Sequence, residues 1–307
     1  MKSCDKCGKP AVTFIRYSGM HLCERHLNDF FERRVKKEIR RQCTLKKNEV
    51  LAIAVSGGKD SVVAMHILHK ILGDRKGLEM HAITVDEGIK NYRPKSMKIA
   101  KKNCSALGIE QHITSFKDIV GLIMDEIVRL RIETTPCSYC GVFRRKCLNL
   151  KAKEIGATLL ATGLNLDDTA QSILMNFMRG DVNKLARLGP HKIRQEGLVP
   201  RIQPLRLIPE KESYLYAMLN HIQFYDGECP YSDRALRGKY RDIIYSLERD
   251  TPGTRHAILQ SHDLMADALI HSFPPANLIR CIECGEPTLG MVCKSCKMVR
   301  ELEDMKA

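Results

Sequence analysis

Residues 50–61 constrain this chain more than any other stretch. An apolar, strand-like run, Val50–Val55, leads into Ser56-Gly57-Gly58-Lys59-Asp60-Ser61, and a helical pattern of apolar residues follows from Asp60 to Leu72. A strand feeding a helix through so short a turn is the building unit of a parallel sheet covered by helices. Two adjacent glycines let the backbone turn tightly and approach a ligand closely. The amides of such a loop, with the positive end of the following helix, suit phosphate. Lys59 adds a cation, and Ser56 and Ser61 add hydroxyls. The common nucleotide P-loop is excluded, because it needs Gly-x-x-x-x-Gly-Lys-Ser/Thr.

The alternation continues downstream. Further apolar strands are expected at Met80–Val85, Gln111–Ser115, Thr158–Thr162 and, more weakly, Val199–Leu205. Helical spacing recurs over Lys95–Leu107, Asp118–Leu130, Gly141–Ile155 and Asp167–Met178. Ligands of such sheets sit beyond the carboxyl ends of the strands. A second signature, Ala161-Thr162-Gly163-Leu164-Asn165-Leu166-Asp167-Asp168, falls at the end of the fourth strand, so two strand ends are expected to converge on one crevice. After about residue 206 the pattern is mainly helical, with Gly227 to Gly238 as a loop. The expected division is 1–27 as a Cys/His module, 28–47 as a basic amphipathic linker helix, 48–273 as the α/β core, and 274–307 as a second cysteine module.

Cysteine usage sets the compartment and the metals. No apolar run approaches the ~20 residues that cross a bilayer, and the amino terminus lacks the apolar centre of a signal peptide, so a cytoplasmic protein is expected. Thirteen cysteines in a reducing compartment point to metal ligation rather than disulfides. Cys281-x2-Cys284 and Cys293-x2-Cys296, eight residues apart, supply four thiolates for a tetrahedral zinc shell. Cys4-x2-Cys7 and Cys23-x2-His26, fifteen residues apart, supply three thiolates and an imidazole, a second closed shell. Residues 1–26 hold too little apolar surface to fold unaided. Cys137-x2-Cys140 stands alone, with Cys229 as its partner about ninety residues on. Three cysteines leave a four-ligand shell open. They fit a [4Fe–4S] cluster with one free iron, sulfur-relay thiols of which one carries a persulfide, or buried free cysteines. Cys43, Cys104 and Cys147 read as packing residues.

The six-residue loop resembles the pyrophosphatase PP-loop, Ser-Gly-Gly-x-Asp-Ser, whose enzymes split ATP between the α and β phosphates and adenylate an oxygen of the substrate. The whole order of motifs resembles the TtuA-type tRNA 2-thiouridine synthetases and their archaeal and eukaryotic wobble-uridine relatives: zinc module, PP-loop, Cys137-x2-Cys140, Gly163 to Asp168, Cys229, Cys4 knuckle. The tRNA 2-thiocytidine enzymes share the PP-loop and central cysteines but lack both zinc modules. The resemblance implies an adenine-nucleotide α-hydrolase-like core and a [4Fe–4S] cluster on Cys137, Cys140 and Cys229. It implies ATP over Ser56, Gly57, Gly58, Lys59, Asp60 and Ser61, with backbone near Ala54, Val85 and Gly163 holding adenosine. Asp168 would help place Mg²⁺ or the reacting groups, and Asp60 and the three cysteines complete the catalytic set. Zinc would fill both closed shells. The implied reaction adenylates the C2 oxygen of a tRNA uridine and replaces it with sulfur, from sulfide or a ubiquitin-like thiocarboxylate protein. A homodimer is common in the family.

Charge agrees with a polyanionic partner. The formal net charge is +14; metal-bound thiolates lower it to about +10. Arg33 to Arg41, Arg144 to Lys146, Arg179 to Arg206 and Arg234 to Arg241 are candidate phosphate contacts. With aromatic residues at 6% and no Trp, stacking platforms are few, which favours shape and backbone readout of an extruded base. Two other classes compete: a PP-loop amide-forming enzyme, which needs neither the basic surface nor the extra cysteines, and a zinc-finger RNA-binding protein with an inactive nucleotide fold, against which the intact Lys59-Asp60-Ser61 and Asp168 speak.

Overall fold

The computed structural model describes residues 2–130, 132, 134–190, 195–232 and 237–306. Two short strands, β1 (Thr13–Ile15) and β2 (Met20–Leu22), form an antiparallel hairpin ahead of α1 (Glu24–Gln42). The core then alternates: β3 (Glu49–Ala54), α2 (Lys59–Leu72), β4 (Leu78–Asp86), α3 (Arg93–Leu107), β5 (Glu110–Ser115), α4 (Phe116–Val120), α5 (Met124–Arg129), α6 (Pro136–Glu154), β6 (Leu159–Ala161), α7 (Leu166–Met178), α8 (Val182–Ala186) and β7 (Arg201–Ile202). Helices α9 (Glu210–Leu219), α10 (Arg237–Asp250) and α11 (Thr254–Ser272) follow. The chain closes with β8 (Ile279–Arg280), β9 (Pro287–Thr288) and α12 (Lys294–Asp304).

The five core strands are parallel in the order β5-β4-β3-β6-β7. This is the expected α/β parallel sheet. Alternate side chains of β3 serve opposite faces: Leu51 and Ile53 join α1, α2, α3 and α9 in one apolar cluster, while Ala52 joins α4, α6 and α12 in the other. Because both faces are covered, the central strands β3 and β6 read as continuous apolar runs rather than alternating ones, whereas the edge strand β5 stays polar. Cys104 and Cys147 are buried in these clusters, as expected of packing residues, and Cys43 packs at the edge of one.

Several elements depart from the sequence reading: α6 begins at Pro136 rather than Gly141, β7 spans only Arg201–Ile202 of Val199–Leu205, and two helices differ more. The basic helix expected over 28–47 runs over Glu24–Gln42, beginning inside Cys23-x2-His26, so one helix carries zinc-type ligands in its first turn and Phe31, Val35 and Ile39 in the core. The helix expected over Asp118–Leu130 is two helices, because Gly121 adopts φ 75° and ends α4. Apolar spacing continues through that break, which hid it.

Candidate active site and metal centres

The strand order reverses between β3 and β6, so the loops that leave these two adjacent strands diverge and open a crevice. Ser56 to Ser61 leave β3, and Thr162 to Asn165 leave β6. Gly57 has φ 89°, and a Cβ there would lie 1.9 Å from the Ser96 carbonyl oxygen, so only glycine fits. Gly163 is required for a different reason: its Cβ would lie 2.8 Å from Asp60 and Ser61 backbone atoms, because the two loops are in contact. Helix α2 starts at Gly58 with no side-chain cap, leaving its first amides for a ligand. Ser61 Oγ instead accepts from the Ser56 amide at 3.1 Å and sits 3.0 Å from Ser56 Oγ, tying the loop's ends together.

Charged side chains ring this loop. Lys59 Nζ lies 3.1 Å from both Asp60 carboxylate oxygens and 3.4 Å from Glu210 Oε1. Asp168 and Asn165 form a reciprocal cap at the start of α7, and Asp168 Oδ1 accepts from Arg237 at 3.1 Å. Burial pushes the Asp168 carboxyl up to about 6; Arg237 opposes that shift and Asp60 adds to it. Ala54 ends β3 and Val85 is the next-to-last residue of neighbouring β4, and the Val85 carbonyl already accepts from the Arg93 guanidinium.

Arg93 is the hidden organiser. It is buried, donates to the Ser56 carbonyl at 2.9 Å, and pairs with Glu87. The other Glu87 oxygen accepts from Arg144 Nε at 2.8 Å, and Arg144 Nη2 lies 3.0 Å from Cys140 Sγ. One buried carboxylate thus connects the phosphate-type loop to the central cysteines. A second connection is made of backbone: the Tyr225 amide donates to the Gly57 carbonyl at 2.8 Å, four residues before Cys229. Beyond Cys229, Tyr231 donates its hydroxyl to Asp125 at 2.6 Å, and its carbonyl lies 4.0 Å from Cys137 Sγ. Cys137, Cys140 and Cys229 face one another across the start of α6 and the segment after Tyr225, but unlike the two closed shells their sulfurs do not gather within 4.8 Å. Burial pushes Cys140 up to about 11 against the pull of Arg144, and burial also raises Cys229. Sequence reasoning missed Glu87, Arg93 and Tyr225, and Arg237, which falls within the expected phosphate-contact stretch, instead pairs with Asp168. Arg234, an expected phosphate contact, lies outside the described residues.

The two closed shells assemble. The ligand atoms of Cys4, Cys7, Cys23 and His26 all lie within 4.8 Å of one another, and so do those of Cys281, Cys284, Cys293 and Cys296. Cys7–Cys23 is 3.7 Å, Cys284–Cys293 is 3.6 Å and Cys281–Cys296 is 4.0 Å. A tetrahedral zinc with bonds of about 2.3 Å sets its sulfurs about 3.8 Å apart, so both donor sets fit that ion. A third group, His81, Glu110 and His112, which the sequence reading did not single out, also brings its ligand atoms within 4.8 Å, on the edge pair β4–β5.

Glycine-rich anion loop, switch-point crevice and parallel sheet define a PP-loop protein of the adenine-nucleotide α-hydrolase type, and residues 27–247 match the PP-loop domain family. Residues 3–28 match the N-terminal LIM domain of the 2-thiouridine synthetase TtuA. The chain belongs to the PP-loop tRNA 2-thiolation family. It is 38% identical to the tRNA 2-thiolation protein NcsA of Haloferax volcanii, over 98% of this chain and 99% of that protein. It is 33% identical to the tRNA-5-methyluridine(54) 2-sulfurtransferase of Pyrococcus horikoshii, over 96% and 92%. The solved U34-tRNA thiolase NcsA from Methanococcus maripaludis with its [4Fe–4S] cluster superposes with a TM-score of 0.86 at 36% identity, covering 98% of this chain and 97% of that one.

Proposed function

We propose that this chain is an ATP-dependent tRNA sulfurtransferase that replaces the C2 oxygen of a uridine with sulfur. The observation that carries the reading is the joining of the loop after β3 to Cys140 through Arg93, Glu87 and Arg144, and to Cys229 through Tyr225. A nucleotide site and a sulfur-handling site built into one crevice are what activation followed by thiolation requires.

ATP binds with its phosphates against the free amides of α2 and its adenosine along the ends of β3, β4 and β6, near Ala54, Val85 and Gly163. The uridine C2 oxygen attacks the α phosphate and releases pyrophosphate. Lys59 and the loop amides offset the charge that develops there. Asp60 and Asp168 would hold Mg²⁺, which would supply charge neutralisation at the phosphates. Sulfur then enters at C2 at the oxidation level of sulfide, and oxygen leaves on AMP, so the exchange needs no oxidant. A [4Fe–4S] cluster on Cys137, Cys140 and Cys229 would supply an iron without a protein ligand, suited to binding sulfide. The two closed shells hold structural zinc. Sulfide or a ubiquitin-like thiocarboxylate protein serves as donor, and the enzyme works in the cytoplasm as a homodimer. Among the described residues, no helix is long and apolar enough to cross a membrane.

Anaerobic purification tests the reading. We expect about two zinc and one [4Fe–4S] cluster per chain, with labelled ATP converted to AMP and pyrophosphate when tRNA is present. Cys137→Ala, Cys140→Ala and Cys229→Ala each lose iron and thiolation while some AMP formation survives. Full thiolation by iron-free enzyme would overturn the cluster in favour of the relay, and ADP as main product would overturn adenylation.

A further inference from the structure

A groove of ≈ 420 Å³ runs between the core and the carboxyl-terminal module, away from the crevice described above. Arg145 of α6, Arg201 of β7, and Lys294 and Ser295 at the start of α12 line it. Arg201 Nη2 reaches the Arg145 carbonyl at 3.4 Å, which sets the two arginines side by side. Burial and the Arg145 charge pull Arg201 down to about 10. Among the described residues, neither guanidinium has a carboxylate partner, whereas Arg34, Arg93, Arg144, Arg206, Arg237 and Arg255 all do. The one acid in the groove wall, Glu286, is held by Lys153 and Asn149, each at 2.8 Å.

The fourth wall points the same way. Helix α12 has eleven residues; Lys294 and Ser295 of its first turn line the groove, while the Cys293 thiol at its cap accepts from the Cys296 amide. Ser295 in that first turn is 4% exposed, and its Oγ has no hydrogen-bond partner. A buried hydroxyl left unpaired is destabilising, and a bound oxyanion would satisfy it. The thiolates at this end of the module repel anions, but Lys146 Nζ lies 3.9 Å from Cys296 Sγ and offsets them. Two unpaired guanidiniums, a helix amino terminus and an unsatisfied hydroxyl are the donors that phosphate takes.

We propose that this groove binds a backbone phosphate of the RNA substrate, with Arg145 and Arg201 as the clamp and Ser295 Oγ and the start of α12 completing the shell. The proposal rests on the tRNA-thiolation reading and adds where the backbone is gripped. Arg145 follows Cys140 by five residues on α6, about 7.5 Å along the helix axis. The clamp therefore sets RNA register from the same helix that presents the cysteine pair.

The test uses the full, zinc-loaded chain with fluorescently labelled tRNA over a range of salt. Arg145→Gln/Arg201→Gln is expected to weaken binding about tenfold or more, as loss of charged hydrogen bonds does. It should flatten the plot of log affinity against log salt by about one unit. Ser295→Ala should weaken binding without changing the slope, and ATP binding should be untouched in both. Lys294 of the unmodified protein should be shielded from an amine-acylating reagent when tRNA is bound, a readout that holds even if the double variant folds poorly. A wild-type chain that binds tRNA and thiolates it, beside a double variant of equal affinity and slope, would overturn the clamp and leave the function standing. Unshielded Lys294 in the tRNA complex would overturn it too. Failure of the wild-type chain to bind tRNA would instead remove the reading beneath it.

Discussion

Adding one methyl group at Gly163 tests whether the two crevice loops touch as the structure places them. The built Cβ would lie 2.8 Å from Asp60 C, Asp60 O and Ser61 Cα, all backbone atoms that no rotamer change can clear. Carbon atoms pack best at about 3.5–4.0 Å, so Gly163→Ala must push the start of α2 and the β6–α7 loop apart by about 0.7 Å. Overpacking of this kind costs about 1–3 kcal/mol of stability. The larger effect falls on chemistry, since misplacing reacting groups by about 1 Å costs up to about 10²-fold in rate. We expect kcat/KM for AMP formation to fall about 10–100-fold while the protein stays folded. Gly290→Ala is the control: its methyl meets nothing within 4 Å. The assay is pyrophosphate release in the presence of tRNA, with a denaturant melt beside it. A folded Gly163→Ala chain with wild-type kcat/KM would refute the claimed contact between the loops.

Two other perturbations address the charged ring. Glu87→Ala strands Arg93, which is 2% exposed, and should cost about 3–5 kcal/mol in a urea titration, as breaking a buried pair does; a loss below about 1 kcal/mol would mean that Arg93 is held by its carbonyl contacts alone. Asp168 must be ionised to hold a cation, and its carboxyl sits at about 6, so kcat/KM should fall as pH drops through that value. Arg237 opposes the upward shift, so Arg237→Ala should move this acidic limb to higher pH; a limb that stays put would detach Asp168 from the profile.

What was legible in the sequence was what chemistry writes locally. Buried strands need unbroken apolar runs, so β3 (Glu49–Ala54) was expected at Val50–Val55 and β6 (Leu159–Ala161) at Thr158–Thr162. Zinc-type shells need ligands at short spacing on a tight turn, and both assemble from the residues expected. Glu87 and Arg93 were illegible because their meaning is burial, and the exposed Arg144, expected as a phosphate contact, instead pairs with Glu87. In a chain with 50 basic and 36 acidic side chains, nothing in composition tells a buried ion pair from a solvated one. Tyr225 acts through its amide, which every residue but proline also has. Gly121 was visible, but apolar spacing on both sides of it outweighed the break.

The bond between the Tyr225 amide and the Gly57 carbonyl also fixes which way the phosphate loop faces. In a trans peptide the carbonyl and the following N–H point in opposite directions. With the Gly57 oxygen held toward the Cys229 segment, the Gly58 N–H turns to the other side, where Ser56 Oγ meets it at 3.3 Å. The loop's electrostatic polarity is therefore imposed from outside the loop. Were the Cys229 segment to lift away, the Gly57–Gly58 peptide would lose what holds it against flipping, and a cradle for anions could present an oxygen to the very phosphate it should attract. Competence to hold ATP and correct seating of Cys229 are, in that sense, one conformational state rather than two.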